Sequence, residues 1–145
     1  MTVDFDVEVV QARIAIIEAN LSRLAQIPQD DFDGFVADFR NVEAAKHLLQ
    51  TAIEAMIDIC AHFVARLRLR APENGVQLVT SLGEANLLPQ EHVPVYSKMI
   101  RFRNLVVYLY SDVDDRQVYD ILCHHLDDFR KFIADAWRII QRGQG

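Results

Sequence analysis

Residues 35–71 contain neither glycine nor proline, and their apolar residues return at helical spacing. Phe35, Phe39, Val42, Leu49, Ile53, Met56, Ile59, Phe63 and Leu67 mark one stripe. A chain carrying such a segment must place a long helix in its core, because an apolar helical face has to be covered by a partner surface. The spacing predicts a helix from about Phe32 to Arg70. A kink near residues 38–41 is expected, since so long a helix is unusual in a globular domain. Ala71-Pro-Glu-Asn-Gly75 breaks it.

The remaining segments keep the same period. Val10, Ile14, Ile17, Leu21 and Leu24 predict a helix over 6–26, capped by Asp4 or Asp6 and ended by Pro28. Residues 76–85 read as a short helix. Val95, Met99, Phe102, Val106 and Leu109 predict a helix over 91–109, with Pro94 tolerated in its first turn. Asp114 or Asp115 caps a last long helix to about Gln141, with Val118, Leu122, Leu126, Phe129, Ile133, Ala136 and Ile140 as its stripe and a fraying tail. No strand alternation, internal repeat or linker stands out. The expected fold is all-α: an up-and-down bundle of four long helices with a short extra helix, in one domain over 1–145.

Charge narrows the function classes. Fifteen Lys and Arg face 21 Asp and Glu, a net charge of −6. A strongly basic nucleic-acid binder would not have this balance, so any contact with RNA requires positive charge focused in one cleft. The two cysteines, Cys60 and Cys123, offer no disulfide framework or metal knuckle and suit the reducing cytoplasm. The N-terminus lacks the pattern of a signal peptide, and no uninterrupted apolar run suggests a membrane span.

The stretch Met99-Ile-Arg-Phe-Arg-Asn-Leu-Val-Val-Tyr-Leu-Tyr110 carries the chemistry. Arg103, Val107 and Tyr110 fall on one side of a continuous helix. An arginine, the amide of Asn104 beside it and a phenol can bind a phosphate, the arginine through its planar donor fork. The plainer reading of the same spacing is a pair of core or interface tyrosines, Tyr108 and Tyr110, with Arg103 in an ion pair.

Arg103-Asn-Leu-Val-Val-Tyr-Leu-Tyr110 resembles a variant of the Arg-x4-His-x-Tyr motif of HepT-like proteins, a branch of the HEPN superfamily. Residues 41–62, Phe102-Arg-Asn104, Val113-Asp-Asp115 and Val118-Tyr-Asp-Ile-Leu122 are similar to that family as well, so the resemblance covers roughly residues 5–140. It implies a HEPN-like bundle and the toxin of a toxin–antitoxin pair, a metal-independent ribonuclease acting on RNA such as tRNA. It also implies a homodimer whose two motifs line one cleft. The implied partner is an MntA-like nucleotidyltransferase antitoxin that transfers AMP to the motif tyrosine. Residue by residue, the catalytic set becomes Arg103, Asn104 and position 108, and the AMP acceptor becomes Tyr110. No cofactor or metal is implied.

One departure matters: the motif histidine is Tyr108 here. Histidine exchanges protons near neutral pH, whereas a phenol with pKa about 10 is ionised in about one part in a thousand at pH 7. A positioned acid–base group contributes typically 10²–10⁴-fold. The substitution therefore predicts a weakened nuclease, unless an arginine from the dimer mate assists or Tyr108 acts only as an acid. The alternative function is a disarmed domain retained as binding partner or substrate subunit of the nucleotidyltransferase.

Other polar groups are secondary. Glu54 and Asp58 share a helix face and could orient Arg103, bind a cation or form ordinary ion pairs. Lys98 and Arg101, with Arg66, Arg68 and Arg70, could form a basic rim for RNA or simply a solvated surface. Cys123, His124, His125 and Asp128 invite a metal reading, but adjacent histidines on a helix point about 100° apart. His47, His62 and His92 read as structural or solvated, with His62 the one that could approach the cleft.

Overall fold

The computed structural model describes residues 3–144. Among the described residues the fold is all-α, with seven α-helices: α1 Val7–Leu24, α2 Phe32–Ala37, α3 Phe39–Arg66, α4 Gly75–Glu84, α5 Val93–Tyr108, α6 Asp115–His124 and α7 Asp127–Gln144. Short 3-10 turns, Gln90–His92 and Tyr110–Asp112, flank α5. Helix α3 is the axis of the molecule and packs against α1, α2, α4, α5 and α6. Its inward face buries Val42, Ala45, Leu49, Ile53, Met56, Ile59 and Phe63 against Ile14, Ile17 and Leu21 of α1 and the rest of one continuous core.

The helix starts follow side-chain chemistry. Asp6, Asp31, Asn74 and Asp114 each accept a backbone N–H of the first turn they precede, supplying a partner that the helix cannot supply itself. Two ends use a left-handed residue. Arg68 (φ 55°) and Asn86 (φ 59°) turn the chain so that Leu69 N–H reaches Val64 O and Leu87 N–H reaches Leu82 O. These bonds close α3 and α4 in the six-to-one pattern of a Schellman cap.

Two of the expected long helices are each divided. The kink near residues 38–41 is a full break: Asp38 is extended (φ −117°, ψ 111°) and its carboxylate accepts the Arg40 N–H that opens α3. The last helix is interrupted at His125-Leu126, where φ −124° and ψ 8° at His125 leave helical geometry. Imidazole His125 lies 3.3 Å from Asp120 and 3.5 Å from Asp128, bridging the two pieces. The break lets α7 rotate, so its buried face is Phe129, Phe132, Asp135, Ala136, Ile139 and Ile140. Ile133 is only half-buried. The tail stays helical through Gln144, with Val3 N–H donating to Gly143 O. Gly145 lies outside the described residues.

Helix α3 is also long and apolar enough to cross a bilayer by length and composition, with half of its apolar window buried inside the bundle. It carries Glu43, Lys46, Glu54 and Asp58, and its apolar face is already occupied by the core described above.

Candidate functional site

Helices α3 and α5 run antiparallel, so one line of α3 residues faces the motif in reverse order. Ile57 and Ile100 both close on Gly75. One turn along, Glu54 meets Arg103, and about three turns of α3 further Glu43 meets Tyr110. The Arg103 guanidinium donates to a single Glu54 oxygen through Nε at 3.3 Å and Nη2 at 2.9 Å. Its Nη1 donates to Asn104 Oδ1 at 3.0 Å. A guanidinium has five N–H donors. Three are used in holding the group, and two remain for a ligand.

The groove over this arginine is lined by Glu54, Ile57, Asp58, Gly75, Arg103 and Asn104. Asp58 does not join the arginine; it pairs with Arg13 at 3.5 Å. The groove therefore has two carboxylates and one guanidinium, which corrects the expectation that positive charge gathers at the cleft of a single chain.

Helix α5 ends at Tyr108, and the 3-10 turn that follows carries Tyr110 back toward the start of α3. Tyr108 points outward, 72% exposed. Tyr110 is 44% exposed, and its hydroxyl donates to Glu43. Lys46 Nζ sits 4.4 Å from the centre of the same ring. The bond to Glu43 and, after it, desolvation push the Tyr110 phenol up to about 12. At neutral pH the hydroxyl is thus fully protonated and aimed at a carboxylate. Val107, Tyr108, Leu109 and Tyr110 together form an exposed apolar and aromatic patch.

The structure brings together Arg103, Asn104 and, through α3, Glu54; it separates them from several other named residues. Lys98 lines a different, apolar groove with Val95, Met99 and Phe102. Arg101 is exposed, about 160° around α5 from Arg103. Arg66 lies about 18 Å along α3 from Glu54 and donates to Asp4 O at 3.1 Å. His62 is not at the cleft: its Nε2 accepts the Asp6 N–H at 3.1 Å, and burial, then Arg66, lowers its pKa. Among the described residues, no group of three or more His, Cys, Asp or Glu is placed to hold a metal ion.

Sequence reasoning missed Glu43 and Lys46. Lys46 carried a signal: it stands between Val42 and Leu49 in the core-facing register, and it is 7% exposed. A lysine there needs a reason, which is the Tyr110 ring and the Asp115 carboxylate 3.9 Å away.

A helical bundle with an arginine–amide pair over a groove and two exposed tyrosines at one helix end matches a known group. The family model described as Ribonuclease HepT-like matches residues 17–136. The mRNA nuclease HepT of Shewanella oneidensis is 30% identical over 126 residues, 87% of this chain and 94% of that protein. The tRNA nuclease HepT of Aphanizomenon flos-aquae is 22% identical over 125 residues, 86% and 85% of the two chains. A solved structure of the tri-AMPylated Shewanella oneidensis HEPN toxin in complex with MNT antitoxin superposes with a TM-score of 0.81 at 30% identity, covering 88% of this chain and 95% of that one. The chain belongs to the HepT-like family.

Proposed function

We propose that this chain, as one domain over 1–145, is the toxin of a toxin–antitoxin pair: a ribonuclease, silenced when an MntA-like nucleotidyltransferase transfers AMP to Tyr110. The observation that carries the reading is the Arg103 guanidinium, fixed by Glu54 and Asn104 with two donors left over, on a helix that runs into two exposed motif tyrosines. The relatives support it by their names: one is an mRNA nuclease and another a tRNA nuclease, and the solved Shewanella oneidensis structure is a tri-AMPylated toxin in complex with MNT antitoxin.

The chemistry uses the chain's own residues. The 2′-hydroxyl of RNA attacks the adjacent phosphorus and loses its proton to solvent as the bond from phosphorus to the 5′-oxygen breaks, and negative charge builds on the phosphoryl oxygens. The two free Arg103 donors meet that charge without reorganising, because Glu54 already holds the guanidinium in place. Asn104 fixes the third edge of the arginine. Tyr108 stands at the proton-transfer position and donates to the leaving oxygen. The patch over Val107, Tyr108 and Leu109 is where a second copy of the chain packs, bringing two motifs to one cleft and leaving Tyr110 open. Light scattering at micromolar concentration should report a dimer.

A second reading has specific support. Tyr108 replaces a group that titrates near neutrality, and the groove carries two carboxylates against one arginine. Both favour a domain that has lost its nuclease and serves as a binding subunit of the nucleotidyltransferase. Incubation with a total tRNA pool, beside Arg103→Ala and Tyr108→His, separates the two. Cleavage by the parent that Arg103→Ala abolishes supports the nuclease. Cleavage only by Tyr108→His supports the disarmed subunit.

A further inference from the structure

Tyr110, Glu43 and Lys46 form a unit that phosphate binding at Arg103 does not explain. Tyr110 reaches α3 only because α5 stops at Tyr108 and the chain turns back. Its hydroxyl is committed to one acceptor, the Glu43 carboxylate, which is otherwise open to solvent. Its ring is braced from below by an ammonium that the core nearly closes over. A tyrosine needed only for packing would bury its ring and hydroxyl; this one keeps 44% of its surface exposed.

We propose that Glu43 is the general base for nucleotidyl transfer to Tyr110, and that Lys46 supplies positive charge beside the phosphodiester that results. This rests on the reading of Tyr110 as the modified residue. In the step, Tyr110 Oη attacks the α-phosphorus of a nucleoside triphosphate bound to the partner. The new O–P bond forms as the bond to pyrophosphate breaks, and pyrophosphate leaves with that electron pair. The phenolic proton passes to the Glu43 carboxylate already bonded to it.

The electrostatics require a base. Glu43 and Asp115 both disfavour the phenolate, so no preformed tyrosinate is present at neutral pH. Lys46 faces the ring from α3 but is shared with Asp115 of α6. Attack must therefore be coupled to proton loss, and a positioned base typically contributes 10²–10⁴-fold. The product carries one negative charge next to the Glu43 carboxylate, and the adjacent Lys46 ammonium offsets that repulsion.

The test uses the full chain with an MntA-like nucleotidyltransferase, ATP and magnesium, followed by intact mass and peptide mapping. The parent should gain AMP at Tyr110. Glu43→Gln should lose about 100-fold in rate at pH 7. Its rate should then climb as pH rises into the alkaline range, because without the carboxylate the phenol falls back toward its ordinary range and ionises by itself. Glu43→Asp should restore part of the rate at pH 7. Equal rates for Glu43→Gln and the parent would overturn the inference. So would a loss of the same size at every pH, which marks lost docking or packing. A parent that gains no AMP at Tyr110 would overturn the modification reading itself, a separate failure.

Discussion

Helix α5 carries two polar clusters, one at each end, and they are built on opposite terms. At its start, the Asp135 carboxylate from α7 is 1% exposed. It lies 2.7 Å from His92 Nδ1, accepts the Tyr96 hydroxyl, and takes Arg138 Nη1 at 2.7 Å on its other oxygen. Among the described residues, no buried side-chain polar atom lacks a partner. At the other end, Arg103 has two donors to spare and Tyr108 has its ring in solvent. A satisfied, buried cluster can fix α7 on α5 but has nothing left to offer a ligand. An incompletely used, open cluster contributes little to the fold and is available for chemistry. Polar residues alone do not mark a site; unused bonding capacity that water can reach does.

Mutations should separate the two ends cleanly. The largest effect belongs to the open end and to activity. Arg103→Ala should lower RNA cleavage about 10³-fold, worth about 4 kcal/mol of transition-state stabilisation, while moving Tm little. A large fall in Tm alongside the lost cleavage would erase the distinction between the ends.

Next comes the buried end. Asp135→Ala removes the acceptor shared by Tyr96, His92 and Arg138 and should cost about 3 kcal/mol, a fall in Tm of roughly 10 °C. Arg138 and His92 keep some access to water, which limits the loss. Thermal melting of Asp135→Ala within 2–3 °C of the parent would show that the cluster is not what holds α7.

Alkali should sharpen the contrast. Desolvation and the Asp135 bond push Tyr96 far above the usual phenol range, and burial pushes the Cys60 thiol up to about 12. Groups whose folded pKa is raised contribute stability that is complete below their unfolded pKa and is lost as pH rises toward the folded one. For the thiol the loss begins above about 8.5, for the phenols above about 10. Stability should therefore decline steadily above pH 9. Below that onset, a thiol reagent should label the half-buried Cys123 and not Cys60. Rapid labelling of both would show that the core opens more easily than its packing implies.

The same contrast explains what could be read before the structure. Periodicity located the stripes because burial on one helical face is a local property of sequence. At Asp38, where the chain breaks fully behind a side-chain cap, the reading gave only a kink, expected from the length of the segment; at His125, where an imidazole sits between two aspartates, it gave no interruption. Arg103 and Asn104 were legible because they are neighbours on one helix. Glu43 and Lys46 were not, because they lie 67 and 64 positions from Tyr110 and meet it only after α5 and α3 pair antiparallel. The Tyr96–Asp135 contact spans 39 positions and was equally hidden. His92 could be read as structural, but not what it was structural for.

The smallest effect is the most discriminating for the exposed tyrosine. Tyr108→Ala removes a ring that is 72% exposed, so an isolated chain should change in stability by less than about 0.5 kcal/mol. If residues 107–109 pack against a second copy, the same substitution should weaken the dimer by about 1–2 kcal/mol, since aromatic residues at an interface core carry much of its energy. The melting temperature should then become concentration-dependent in the parent and less so in the variant. Sedimentation of parent and Tyr108→Ala over a range of concentrations measures this directly. Identical self-association would leave Tyr108 with a role only in proton transfer. A variant that shifts toward monomer would make one ring serve both the interface and the composite cleft, and would explain why so large an aromatic residue is left in solvent on a single chain.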